Sequence, residues 1–350
     1  MRIEKIVPAY KSIIWGGEKL KKYYGKDTEL SPLAESWELS LHKDGQSTLT
    51  DGRPLSEVAT PADLGENTEG FPFFPVLVKL IDANAKLSVQ VHPADDYALA
   101  HENSLGKTEM WYIADADEGA GIYLGFKQDI DKATFERAIR EKTLTDYLKF
   151  IPVKAGECYF IPAGTIHAIC EGCLICEIQQ NSNITYRVYD YGRVGADGKE
   201  RELHIDKALD VTSTREYIPT PLDIETRDGT LKGISRFFTA TYVDVKVKRT
   251  FATDPHSFRC FTCLSGEGVI GDVEICKGDS LFVPASYEEF CLSGDFTAIM
   301  TTVRRYSILE NEGETRLVND LGEILLSEPT CRGARARILA RSGLSESDIF

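Results

Sequence analysis

No apolar run in this sequence approaches the length that crosses a bilayer, and Met1–Lys5 offers neither an apolar core nor a small-residue cleavage site. The expectation is a soluble protein that is not exported. Positive charge is also scarce. Lys and Arg number 40 against 55 Asp and Glu, for a net charge of -15, and the basic residues are dispersed. Such a surface repels a phosphate backbone, which excludes nucleic acid as a general partner and requires any anionic substrate to meet a local basic patch. A disulfide framework is lacking too: nine cysteines is an odd number at irregular spacings, so free thiols in a reducing compartment, the cytoplasm, are the simpler account. Disorder is excluded by 42% apolar and 10% aromatic residues, and 350 residues suffice for two cores.

Short apolar runs bounded by Gly, Pro, Asp and Asn dominate, among them Phe74 to Ile81, Leu87 to His92, Met110 to Ala114, Cys158 to Ile161 and Val269 to Ile275. The architecture therefore reads as mostly β. The exception is Asp129 to Phe150, where Ile130, Phe135, Ile139, Leu144 and Leu148 recur at helical intervals behind Asp131 as a cap, predicting a helical insertion. A repeat is visible between Lys154–Ala163 and Cys276–Ala285, which share the pattern Gly-acid-x-x-Phe-aliphatic-Pro-Ala. An ungapped register sets Glu289 opposite His167, so the second copy keeps the scaffold and loses a candidate site residue. The divide is expected near residues 210 to 235, around Thr212-Ser213-Thr214 and Pro219-Thr220-Pro221, with strands resuming at Phe237. From about residue 308 the repeat logic fails. Arg332 to Arg341 reads as a short cationic helix on solvated surface.

In Leu87 to His92 a period of two sends Leu87, Val89 and Val91 to one face and Ser88, Gln90 and His92 to the other. Glu109 follows in the strand-like run Lys107–Tyr112, and His167 arrives beyond the Pro162-Ala163-Gly164 turn. Two imidazoles, a carboxylate and an amide oxygen make a shell for a borderline divalent ion such as zinc, with a position left for substrate. A single histidine of this kind is more often a hydrogen-bonded core residue; Gln-x-His on one face together with the spaced Glu and His reverses that balance. Cys170, Cys173 and Cys176 stand at spacings that suit a metal, but beyond the Glu171-Gly172 turn Cys173 and Cys176 point to opposite strand faces, and small core residues are the reading, as for Cys260 and Cys263.

The segments Trp15-Gly16-Gly17, Ala34 to Glu38, Leu87 to Pro93, Gly106 to Glu109, Pro162 to His167 and Thr185 to Asp190 occur in the order of the signatures of the short bacterial type I mannose-6-phosphate isomerases, and the chain resembles that family from residue 1 to about 305. The resemblance implies two cupin modules, each a double-stranded β-helix: a catalytic one over 1–215 with the helical insertion near 129–150, a degenerate one over 230–306, and an extension over 307–350. It implies one Zn2+ per chain held by Gln90, His92, Glu109 and His167, with Arg187 as the catalytic arginine and Lys107 and Glu177 as further active-site residues. The family's Asp shortly before Thr-Tyr-Arg is replaced here by Asn181-Ser182-Asn183-Ile184.

Interconverting an aldose and a ketose moves a proton between C1 and C2 through an enediol, so a carbonyl must be polarised and a base held nearby. Glu177 or a water at the metal could be that base. Lys107 and Arg187 could neutralise the enediolate or grip a phosphate. An extended reading puts Arg187 and Arg193 on one face, suited to a sugar phosphate. The expected partner is thus a small sugar phosphate bound by a monomer or weak homo-oligomer. The competing readings are a metal-bearing cupin that binds a sugar phosphate without turnover, a cupin isomerase of another sugar phosphate, and an oxygenase; the last favours His-rich triads that suit iron.

Overall fold

The computed structural model describes residues 1–350 except 195–197 and 312. Two strands, Val76–Ala83 and Cys173–Gln180, are buried along their whole length. Both are near-continuous apolar runs because both of their faces are covered. They lie side by side at the centre of an antiparallel six-stranded sheet ordered Cys158–Ile161, Glu109–Ala116, Cys173–Gln180, Val76–Ala83, Glu35–Leu39 and Ala9–Lys11. One face of this sheet packs on a five-stranded sheet ordered Leu148–Pro152, Gly121–Phe126, His167–Ile169, Val89–Val91 and Tyr186–Tyr189, the two joined by Trp111, Ile113 and Ile175 against Ile122, Leu124 and Ile169. The opposite face presents Val78, Leu80, Met110 and Ile178 to Phe282 and Ile299 of a ten-stranded sheet and to Phe238 and Phe258 just ahead of two of its strands. The alternation of one strand therefore feeds two cores, which is what mostly-β cupin modules stacked face to face require.

The repeat is structural. In both copies a glycine in left-handed conformation, Gly156 at φ 94° and Gly278 at φ 92°, leads into a four-residue strand, Cys158–Ile161 or Ser280–Val283. Each strand pairs with the inner strand of its own sheet, Tyr159 opposite Trp111 and Leu281 opposite Phe261. The interior of the second copy is filled by Phe251, Phe261, Phe290 and Phe296.

Four expectations are corrected. The helix after Asp131, whose carboxylate accepts from the Thr134 amide at 2.6 Å, spans only Lys132–Arg140. Lys142 at φ 59° breaks it, a short turn covers Leu144–Asp146, and Leu148–Pro152 is an edge strand on Gly121–Phe126. Val269 to Ile275 is a hairpin about Gly271 rather than one strand, with Ile270 opposite Val273. Strands resume at Ile224, ahead of Phe237, and a helix Ile205–Val211 precedes them. Beyond the repeat, Tyr306–Asn311, Glu314–Asn319 and Ile324–Pro329 form a three-stranded meander. The helix Ala334–Ser342 is not wholly solvated: Ala334, Ile338 and Ser342 are buried at intervals of four, while Arg337 and Arg341 pair with Glu328 outside. Among the described residues no helix is long and apolar enough to cross a membrane.

A buried ionic knot ties this last unit to the ten-stranded sheet. Asp254 receives both outer nitrogens of Arg304 at 2.8 Å and Nη2 of the fully buried Arg259 at 3.2 Å, while Arg304 also reaches Asp320 at 3.7 Å. Burial alone would raise the Asp254 carboxyl; the two guanidiniums and the His256 amide outweigh it and lower the group to about 2. A carboxyl held below its unfolded value near 3.9 contributes stability above that pH and loses it as pH falls toward 2. The expected outcome for Asp254→Asn is a loss of about 3 kcal/mol near pH 7, read as a lower denaturant midpoint. The difference from the parent should shrink as pH falls through about 4 to 2.

Candidate active site

The pairing registers build the site as two rows of side chains. On the five-stranded sheet Gln90 lies directly between His167 and Arg187. On the six-stranded sheet Glu177 lies between Lys79 and Trp111, and Trp37 continues the row beyond Lys79. Residues opposite one another in a ladder share a face, so each row is a consequence of register. Glu109, two residues before Trp111, shares its face.

Where the rows meet, His92, Glu109 and His167 offer ligand atoms all within 4.8 Å of one another, and all three residues are buried. Glu109 Oε1 is 3.3 Å from His167 Nε2, and Glu109 Oε2 is 3.6 Å from His92 Nε2. The second nitrogens are committed, His92 Nδ1 to the Ile184 carbonyl at 2.7 Å and His167 Nδ1 to the Thr165 carbonyl at 2.8 Å. A carbonyl can only accept, so each Nδ1 carries the hydrogen and each Nε2 presents a lone pair to Glu109. The Gln90 amide nitrogen lies 3.3 Å from His167 Nε2, and a flip of the amide presents its oxygen to the same point.

This donor set fits a divalent ion. Neither oxygen of Glu109 receives a well-aligned hydrogen bond although both are buried. The nearest cation is the Lys107 ammonium, 2.6 Å from Glu109 Oε2 and 3.2 Å from His92 Nε2. Desolvation, then Lys107, pushes His167 down to about 4 and His92 well below its ordinary value, so both rings are neutral near pH 7, the form in which an imidazole can hold a metal. Desolvation raises Glu109, with Lys107 opposing and Glu177 reinforcing it. Among the described residues no other group of three or more His, Cys, Asp and Glu lies close enough to hold an ion. Cys173 and Cys176 indeed face different clusters, Cys173 inside beside Trp111 and Cys176 between the sheets.

Lys107 and Glu109 are fixed through Thr108 and their turn. The Thr108 amide donates to Gln180 Oε1 at 2.7 Å, the Lys107 amide to the Pro93 carbonyl at 3.0 Å, and the Gly164 amide to the His92 carbonyl at 2.8 Å. Gly106 allows the approach, since a Cβ there would stand 2.6 Å from the Pro93 carbonyl oxygen. Glu177 Oε1 accepts from Trp111 Nε1 at 3.0 Å, with Lys107 at 3.9 Å; Oε2 lies 3.5 Å from Lys79. Burial pushes Glu177 up, but Lys107, Lys79 and Trp111 together hold it below the usual range.

A cavity of about 310 Å3 opens beside these groups, lined by Gln90, Lys107, Glu177 and Arg187 from the expected set. Arg193 is absent from its wall. The extended reading that carried it there fails because the strand ends at Tyr189 and Tyr191 turns the chain at φ 59°. Its guanidinium donates instead to Asp190 and the Lys86 carbonyl. Leu87, expected to share a face with Val89, reaches the cavity, because the regular strand begins only at Val89. Trp15, Glu35, Lys79, Asn183, Thr185 and Arg201 also line the cavity and went unassigned. Lys79 had a signal: it is a single ammonium inside the eight-residue apolar strand Val76–Ala83.

Two family descriptions match the chain, "Phosphomannose isomerase type I, catalytic domain" over residues 3–120 and "Mannose-6-phosphate isomerase, cupin domain" over residues 229–303. The mannose-6-phosphate isomerase of Streptococcus mutans is 37% identical over 302 residues, covering 82% of this chain and 93% of that protein. ManA of Bacillus subtilis, also named a mannose-6-phosphate isomerase, is 34% identical over 309 residues, covering 82% and 94%. The crystal structure of the Bacillus subtilis mannose 6-phosphate isomerase superposes with a TM-score of 0.79 at 33% identity, covering 86% of this chain and 99% of that one. A neutral histidine pair about a buried carboxylate, beside a cavity lined by Lys107 and Arg187 on a cupin scaffold, and relatives that match across most of their length, agree: the chain belongs to the type I mannose-6-phosphate isomerase family.

Proposed function

We propose that this cavity interconverts mannose 6-phosphate and fructose 6-phosphate by zinc-assisted proton transfer through an enediol, in the cytoplasm, where the nine free cysteines would stay reduced. The observation that carries the reading is the convergence of the two cross-strand rows, one with His167, Gln90 and Arg187, the other with Lys79, Glu177 and Trp111. His92, Glu109 and His167, with Gln90 through its amide oxygen, would hold one zinc ion; two nitrogens and two oxygens suit zinc, and the absence of thiolates leaves it an effective Lewis acid. When bound, the ion supplies polarisation of the sugar's carbonyl oxygen.

The remaining work falls to the chain's own groups. Glu177 is ionised near neutral pH, and its Oε2, buried without a hydrogen-bond partner, can take the proton from one carbon and return it to the next. Trp111 holds the other oxygen, so the carboxylate arrives oriented. Lys107, raised in pKa and therefore cationic because Glu109 and Glu177 outweigh the effect of burial, stabilises negative charge as it develops on the enediol oxygens. Arg187, half-buried with an unpartnered Nε, offers a second positive donor on the cavity wall. These are roles for Lys107 and Glu177 that a binding protein without turnover would not need.

A coupled assay should record conversion of mannose 6-phosphate to fructose 6-phosphate that disappears with a chelator and returns on addition of zinc. Absence of activity in a zinc-loaded sample would instead favour a sugar-binding cupin. His167→Ala should lose metal content and turnover together, by elemental analysis and the same assay. Arg187→Ala should keep its metal and lose about a hundredfold to a thousandfold in kcat; retained turnover would remove Arg187 from the mechanism.

A further inference from the structure

A chain of net charge -15 that takes a phosphorylated substrate needs a local excess of positive charge, and one corner of the cavity has it. Arg187, Arg193 and Arg201 gather about Asp190, with Glu202 near Arg187, so three guanidiniums face two carboxylates. Only Arg187 and Arg201 of the three line the cavity. Arg193 is spent on Asp190 and the Lys86 carbonyl, and its guanidinium lies 5.5 Å from the Tyr191 ring centroid.

Arg201 is held differently. Its Nε and Nη2 donate to the two oxygens of Asp190 at 2.7 and 2.6 Å, which fixes the plane of the guanidinium. Among the described residues Nη1 has no acceptor. Arg187 is likewise part-used, donating Nη1 to the Glu202 carbonyl at 2.8 Å while its Nε is buried without a partner. Two oriented guanidiniums with unspent N–H groups on one wall suit an acceptor with three oxygens and nearly two negative charges.

We infer that Arg201 is a substrate-binding residue, forming with Arg187 the grip on the substrate's phosphate that sequence spacing had suggested for Arg193. Asp190 acts through Arg201, as a positioning residue that sets its plane. The inference rests on the proposed isomerase reading of this cavity.

The test measures kcat and KM for mannose 6-phosphate, and competitive inhibition by inorganic phosphate, in the zinc-loaded parent, Arg201→Gln, Arg201→Lys and Arg193→Gln, each checked for an unchanged melting temperature. The expected result for Arg201→Gln is a KM and a phosphate inhibition constant both raised by about tenfold or more, the loss of a charge-assisted hydrogen bond. The change in kcat should be smaller, Arg201→Lys should recover part of the loss, and Arg193→Gln should lose less. Unchanged KM and phosphate inhibition in Arg201→Gln would overturn the inference. So would an equal loss in Arg193→Gln, which would mean that both arginines act only by bracing Asp190. If the parent itself fails to convert mannose 6-phosphate, the isomerase reading fails; calorimetric titration of inorganic phosphate into the parent and Arg201→Gln then still decides whether Arg201 binds the anion.

Discussion

Everything at the centre of this protein follows from an electrostatic imbalance that burial makes expensive. Glu35 and Glu177 line the cavity and Glu109 is buried beside it, with Lys79 and Lys107 between them, while desolvation keeps His92 and His167 neutral. Three carboxyl groups against two ammoniums are out of balance where little water reaches, and desolvation raises Glu109 to about 7 in response. An uncompensated buried charge costs several kcal/mol. Lys107, leaning on Glu109 and toward His92 Nε2, relieves part of it. A divalent cation would do more: it would turn the local sum from negative to positive, which is the sign an enediolate needs. The same arrangement would thus make a site holding the proposed ion complementary to a developing anion.

Holding that imbalance requires rigidity, and the layering supplies it. The six-stranded sheet carries Glu109, Trp111, Glu177 and Lys79 toward the site, and the residues between them, Met110, Ile178 and Leu80, into the second core. Register is therefore pinned twice, since a slip of one residue would send ionic groups into one core and apolar groups into the other. The ten-stranded sheet acts as a backing plate, and the buried Lys26–Glu38 pair at 2.5 Å, with Ser280 donating to Glu38 at 2.9 Å, links the two sheets by polar contacts.

Much of the site was legible because strands alternate with a fixed period. Gln90 lies in one short strand, Val89–Val91, with His92 just past its end, and Glu109 opens another, so local pattern was enough to bring out the candidate ligands. Pattern failed where geometry depends on partners. The helix from Asp131 seemed to run on to Phe150 because Leu144 and Leu148 keep helical spacing; pairing with Gly121–Phe126 overrides that spacing in the last turn. Arg193 seemed to share a face with Arg187 because six residues is an even number, but the turn at Tyr191 cancels the parity. Arg201 had no local signal, and Glu35, though inside the segment Ala34 to Glu38, had no assigned role, since both reach the cavity only through tertiary folding. Lys79 was visible as the single ammonium in an apolar strand, a feature that requires a buried partner and in this chain has two.

The second copy of the repeat shows what the scaffold does when released from that burden. Where the first copy sets Trp111 to hold Glu177, the corresponding strand sets Phe261 against Phe251 and Phe290, a T-shaped aromatic cluster that needs no polar partner. Glu289, in register with His167, is exposed on the surface, whereas His167 is fully buried. A residue with no buried polar partner to meet has no reason to bear the cost of desolvation, and an interior without a cavity gains by filling it with apolar area. The two copies keep the same glycine turns and strand pairing, so backbone geometry is common to both. What separates them is whether the interior spends its packing on stability or leaves open the cavity that the proposed ion and substrate would use.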